Sequence, residues 1–197
     1  MLIGRALDRA LKKVPLVPLQ TPLCRAVDAA TLYGFHANTP YEPRPLYDLG
    51  PASRGGRFTP KGGAPALYLA DDLAISLHEY LGIDAHARLR PGTPAIVLFT
   101  VQVRLSAVLD LTEPAVRAAL QTTLAELRAP WRFRRARSRP PTHTLGAAVH
   151  RAGHIQAICF PSTKGKGTCV CVLTESVTAP DFVRIHDPSS KLVATIP

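Results

Sequence analysis

Residues 55–79, GGRFTPKGGAPALYLADDLAISLHE, constrain the fold most, because a glycine-rich loop runs straight into an apolar strand and then a capped helix. Pro65 to Ala70 reads as a short buried strand. Asp71 or Asp72 supplies the N-cap of the helix that follows, and Gly82 stands just past its end, where a left-handed residue closes a helix. On that helix Leu73, Leu77 and Leu81 form one apolar stripe, with Glu79 beside Ile75 on the flank.

Around this segment, strands and helices interleave without a regular βαβ rhythm, and no GxGxxG follows a strand, so a doubly wound dinucleotide fold is not expected. The pattern predicts an α+β fold, a single compact domain with mixed, mainly antiparallel sheets and flanking helices. Residues 5–13, RALDRALKK, have helical spacing and are ended by prolines; a second helical patch is expected near residues 23–32. Residues 1–30 therefore read as a helical extension and strap, and 31–197 as the body. Between Asn38 and Gly63 an ordered loop rich in Pro, Gly, Arg and Tyr gathers polar groups. Ala95 to Arg104 is the strongest strand pattern in the chain. Thr112 is expected to cap a helix bearing Val116, Leu120, Leu124 and Leu127 on one face. A helix at 143–152, strands at 155–160 and 168–174, and weaker strands near 182–186 and 191–196 complete the outline.

Composition fits one globule: 197 residues, 46% apolar and 19% charged. No apolar run is long enough to span a bilayer, and Pro15 and Pro18 break the apolar stretch at 14–19, so no secretory signal and no membrane association are expected; the chain reads as cytoplasmic. Cys24, Cys159, Cys169 and Cys171 lack a zinc spacing, and Cys169 and Cys171 fall on one strand face as small core residues. His150 and His154 lie at i and i+4, but HRAGH lacks the HExxH glutamate and no metal is expected. FPSTKG lacks a GxSxG elbow, which argues against a serine hydrolase. The formal net charge of +10 favours an acidic partner, a nucleic acid or a phosphate-bearing small molecule.

The candidate chemistry lies in three side chains spaced eleven residues apart, Arg57, Tyr68 and Glu79. A guanidinium forks onto phosphate oxygens, an aromatic ring stacks, and a carboxylate stabilises a cationic sugar; together they describe a pocket for a dinucleotide whose glycosidic bond is broken. Each also has a plain reading: Arg57 as a solvated arginine beside a glycine turn, Tyr68 as a core aromatic, Glu79 as a surface acid paired with Arg88 or His78. Ser162 sits in a Gly/Lys turn directly after a strand, and a turn serine is its plain reading.

Taken with the later FPSTKGKGT run, the arrangement resembles the RES family of toxin-type domains, named for an arginine, a glutamate and a serine, here Arg57, Glu79 and Ser162. The resemblance runs from about Thr31 to about Ser176 and includes GGRF, ALYLA, the Glu79 helix, LGAAVHRAG and FPS. It implies a fold similar to the ADP-ribosyltransferases. It also implies an enzyme that takes NAD as substrate and cleaves the nicotinamide–ribose bond, passing the ribose to water or phosphate or, alternatively, ADP-ribose to a protein. In that picture Arg57 holds the pyrophosphate, Tyr68 the nicotinamide side, Glu79 the developing cation, and Ser162 the ribose or a phosphate. The resemblance further implies an antitoxin partner with a helix-turn-helix domain. Members carry an arginine just before the Gly-rich loop, and Gly34 stands where it is expected. Tyr33 and His36 are expected to line the pocket, with Arg44 or Arg54 supplying the missing charge. A third reading, a nucleic-acid-binding module, rests on the six arginines between Arg128 and Arg139, which equally suit a solvated loop or a docking surface; direct nucleic-acid binding is not expected.

Overall fold

A strand dominates the first part of the chain where a helical patch is expected. The computed structural model describes residues 1–34, 42–82, 91–132 and 139–197. After α1 (Gly4–Leu11), β1 (Val17–Asp28) runs antiparallel to β3 (Ile96–Asp110), from Val17 opposite Val108 to Asp28 opposite Ile96. Helical structure is confined to α2 (Ala29–Tyr33), whose cap Asp28 accepts from Thr31 N at 2.6 Å. Pairing with the long β3 outweighs a weak local helical preference. Pro18 and Pro22 are tolerated because, among the described residues, only β3 flanks that half of β1; β2 (Leu67–Ala70) joins at Cys24 opposite Ala70.

The sheet closes on itself. From β1 the neighbours run through β2, β5 (Thr168–Val172) and β4 (Ala157–Pro161) to β3, which pairs again with β1. Among the described residues only β3 and β4 run parallel; the other pairs are antiparallel, and the fold is the expected mixed α+β. β6 (Phe182–Asp187) joins β3 at Gln102–Arg104, whereas β4 takes over that side from Val108; β7 (Leu192–Ile196) extends β6. At the change of partner, Ser106 N and Ala107 N donate to Gln156 Oε1 at 2.9 and 3.0 Å. Asp181 Oδ2 accepts from Ser106 Oγ at 2.6 Å and Gln156 Nε2 at 2.9 Å, so the switch leaves these groups bonded.

Period-two alternation sorts the strands into two faces. Leu67, Leu69, Val170 and Val172 face a cluster with Val101, Val103 and Val183, while Cys169, Cys171, Ile158 and Phe160 face the helical layer. That layer holds α1 and α7 (Pro141–Ala152), through Leu7, Leu11, Leu145 and Val149, all buried. Burying each such leucine contributes about 1.5–3 kcal/mol. Tyr68 points to this helical side. The expected helix after Thr112 divides into α5 (Pro114–Ala119) and α6 (Leu124–Arg128), because Gln121 turns to φ 49° and Thr123 with Glu126 starts a new capping box. Thr112 bonds Asp110 instead of capping α5, and Leu124 is 36% exposed. No helix among the described residues is long and apolar enough to cross a membrane.

Candidate active site

Two glycines make the loop before β2 possible. Gly55, at φ +85°, ends α3 (Leu49–Arg54), and Gly56 packs so tightly that a Cβ there would lie 2.6 Å from the Tyr68 hydroxyl and 2.7 Å from Thr59 Oγ1. The Tyr68 hydroxyl accepts from Phe58 N at 2.8 Å and bonds Thr59 Oγ1 at 3.1 Å, so it staples the loop to the strand. Burial pushes it well above the ordinary phenol range, and Tyr68 stays neutral. Behind the loop, α7 approaches so closely that a Cβ at Gly146 would fall 1.8 Å from Phe58 O. His143 Nε2, 2.9 Å from Gly56 O, fixes the loop from the same helix.

This packing turns Arg57 inward. Its Nη1 donates to Leu127 O at 2.7 Å and Ala129 O at 3.2 Å, and its Nη2 donates to Thr163 Oγ1 at 3.4 Å. Burial lowers its pKa, and the charge of Glu79 opposes that shift. The plain reading of a solvated arginine does not hold.

Helix α4 (Leu73–Leu81) carries Glu79, with Asp72 as N-cap and Gly82 left-handed at its end, as expected. The buried face is not the leucine stripe: Ile75 and Ser76 are buried and Leu73 is 45% exposed. The helix packs on the turn after β4, where a Cβ at Gly167 would meet Ile75 Cδ1 at 2.4 Å. Glu79, one turn on from Ile75 and Ser76, therefore faces inward. Its Oε1 accepts from Ser162 Oγ at 2.7 Å, Thr163 N at 2.7 Å and Thr163 Oγ1 at 3.2 Å. Its Oε2 has no hydrogen-bond partner among the described residues. One carboxylate oxygen is pinned by three donors and the other by none among the described residues.

Arg57, Tyr68 and Glu79 line one cavity of about 810 Å³, together with Arg25, Arg54 and Trp131. That volume lies within the roughly 300–1,000 Å³ of small-molecule sites. Ser162, 2% exposed, lies behind Glu79, accepting from Lys164 N at 3.0 Å, and is not part of the cavity wall. Tyr33 packs against the cluster on the other face of the sheet. His36 and Arg88 lie outside the described residues, as do residues 133–138 of the arginine-rich segment.

Sequence reasoning missed two residues. Thr163, next to Ser162, bridges Arg57 and Glu79. Arg25, on β1, lines the cavity, as does Arg54, one of the two arginines expected to supply the charge missing at Gly34. Arg25 is 7% exposed; Nη2 donates to Tyr47 O at 2.5 Å, while Nε and Nη1 are buried with no partner among the described residues. Burial pushes its pKa down to about 10 against the opposing charges of Asp48 and Tyr80. Its signal is an arginine inside the apolar run Leu23–Val27, a place where an unpaired charge is costly without a ligand.

The family model described as the RES domain matches residues 25–195. No curated protein matches the chain significantly. Among solved structures, a chain of the M. tuberculosis MbcT-MbcA toxin-antitoxin complex superposes with a TM-score of 0.63 and 20% identity, over 95% of this chain and 96% of that one. At that identity the likeness is one of fold.

Proposed function

We propose, since the chain belongs to the RES domain family, that it is a toxin-type enzyme of the cytoplasm that binds NAD in the cavity and cleaves its nicotinamide–ribose bond. The observation that carries this reading is the arrangement of Glu79 and Arg57, joined through Thr163 on one wall, with a carboxylate oxygen left unbonded. Scission sends the bonding electron pair to the nicotinamide nitrogen and leaves a ribosyl oxocarbenium ion. Glu79 Oε2 stabilises that cation, and Ser162 and Thr163 act behind it by holding Oε1 so that the charge is preorganised. Water then adds to the ribose carbon and loses a proton to solvent, giving ADP-ribose; phosphate as acceptor gives the 1-phosphate. Arg25, Arg54 and Arg57 hold the pyrophosphate, and the neutral Tyr68 ring packs on the nicotinamide side.

The same reading gives the chain a protein partner, an antitoxin with a helix-turn-helix domain whose acidic surface suits a net charge of +10. The solved structure that shares the fold comes from a toxin-antitoxin complex. The test is incubation of the purified chain with NAD labelled in the adenylate half. Free labelled ADP-ribose, or its phosphate, is expected together with stoichiometric nicotinamide. Label transferred to protein reassigns the cavity to ADP-ribosyl transfer, and intact NAD removes the reading.

A further inference from the structure

We propose that Trp131 and Arg132 form a stacking platform for the purine base of the dinucleotide and so determine which nucleotide the cavity accepts. The assignment rests on the NAD reading above; the platform itself rests on geometry. From Glu79 the contacts form a chain: Oε1 to Thr163 Oγ1 at 3.2 Å, Thr163 Oγ1 to Arg57 Nη2 at 3.4 Å, and Arg57 Nη1 to Ala129 O at 3.2 Å. Two residues beyond Ala129 stands Trp131, on the cavity wall. Arg57 thus links the carboxylate, through Thr163, to the segment that carries the indole. The carboxylate end takes the ribose that loses nicotinamide, which turns the second base toward Trp131.

The indole is fixed behind and exchangeable in front. His143 lies at 5.9 Å, tilted by 54°, and is itself bonded to Gly56 O. The bare Gly55 lets the indole edge approach: a Cβ there would sit 3.4 Å from Trp131 Cζ3. Over the ring lies the Arg132 guanidinium, its Cζ 4.7 Å from the centroid, on an exposed side chain that reaches towards Gly82 at the end of α4. An exposed guanidinium stacked on a half-buried indole is weakly held. A purine offers the indole a larger flat face and offers guanidinium donors its ring nitrogens, so it takes the indole face while Arg132 bonds its edge.

Trp131 is the only tryptophan of the chain, and its emission reports on this face directly. The full chain is titrated with AMP, with nicotinamide mononucleotide and with NAD, and nicotinamide release is followed in parallel. AMP and NAD are expected to quench to a common end point, and nicotinamide mononucleotide to leave the emission unchanged. Trp131→Leu is expected to raise KM for NAD about 10- to 100-fold with kcat nearly unchanged, the loss of one base stack. Arg132→Ala keeps the indole and is expected to weaken AMP quenching by several-fold, a check that survives if Trp131→Leu misfolds. AMP quenching without nicotinamide release keeps the platform and removes NAD cleavage. Nicotinamide release with emission silent to AMP, or quenching by the mononucleotide alone, overturns the platform.

Discussion

Arg25 and Arg57 are both buried and both reach the same cavity, yet the fold satisfies them in opposite ways. Arg57 gives hydrogen bonds to Leu127 O, Ala129 O and Thr163 Oγ1, and so ties the end of α6 to the turn that holds Glu79. Arg25 gives one, to Tyr47 O, and keeps two nitrogens buried without partners among the described residues. A bonded buried charge holds structure, whereas an unbonded one costs stability until an anion arrives. The contrast separates an arginine that builds the cavity wall as well as facing the ligand from one whose buried donors are left for the ligand.

The sharpest way to break this contrast is to remove each in turn. Arg57→Ala strands two carbonyls and the Thr163 hydroxyl; a destabilisation of about 1–3 kcal/mol in chemical denaturation is expected, together with loss of nicotinamide release. Arg25→Leu is expected to leave stability unchanged or raised, while KM for NAD rises about 10- to 100-fold through the lost charge-assisted bonds. Equal destabilisation by the two substitutions would erase the distinction. Inorganic pyrophosphate sharpens it: at ten times its Kd it is expected to stabilise the wild-type chain by about 1.4 kcal/mol, and Arg25→Leu by much less, as read from thermal melts.

The smallest effect concerns acid. Burial lowers the pKa of His143 below its ordinary 6.5, with the charge of Arg139 in the same direction and the bond to Gly56 opposing. The unfolded chain then takes up a proton at His143 more readily than the folded one, so this contribution to stability is present above about pH 6.5 and is lost as pH falls below it. Between pH 7.5 and 5.5 the Tm of wild type is expected to drop more than that of His143→Gln. Parallel curves would show that His143 does not anchor the Arg57 loop.

What was legible in the sequence was local. Arg57, Tyr68 and Glu79 sit in one continuous loop, strand and helix, whose caps at Asp72 and Gly82 follow from residue chemistry, and the alternation of Cys169 and Cys171 follows from strand period. What failed depended on distant partners. Residues 23–28 carry a helical pattern yet lie in β1, because the pairing with β3 spans some 80 residues of chain, and the place of Arg25 depends on that pairing. Leu73 stands on the apolar stripe of α4 but is exposed, and nothing in the helix's own sequence reveals that the Gly167 turn packs on Ile75 instead. Ser162 was noticed, but its service to Glu79 and the bridging role of its neighbour Thr163 exist only in three dimensions.

The most direct measurement of the central claim compares nicotinamide release by the wild-type chain with that by Glu79→Gln, under conditions where both are folded. Glutamine keeps an acceptor for Ser162 and Thr163 but removes the charge, so kcat is expected to fall about 100- to 1,000-fold with KM little changed. Equal turnover by the two proteins would contradict an account in which that carboxylate stabilises the departing ribosyl cation.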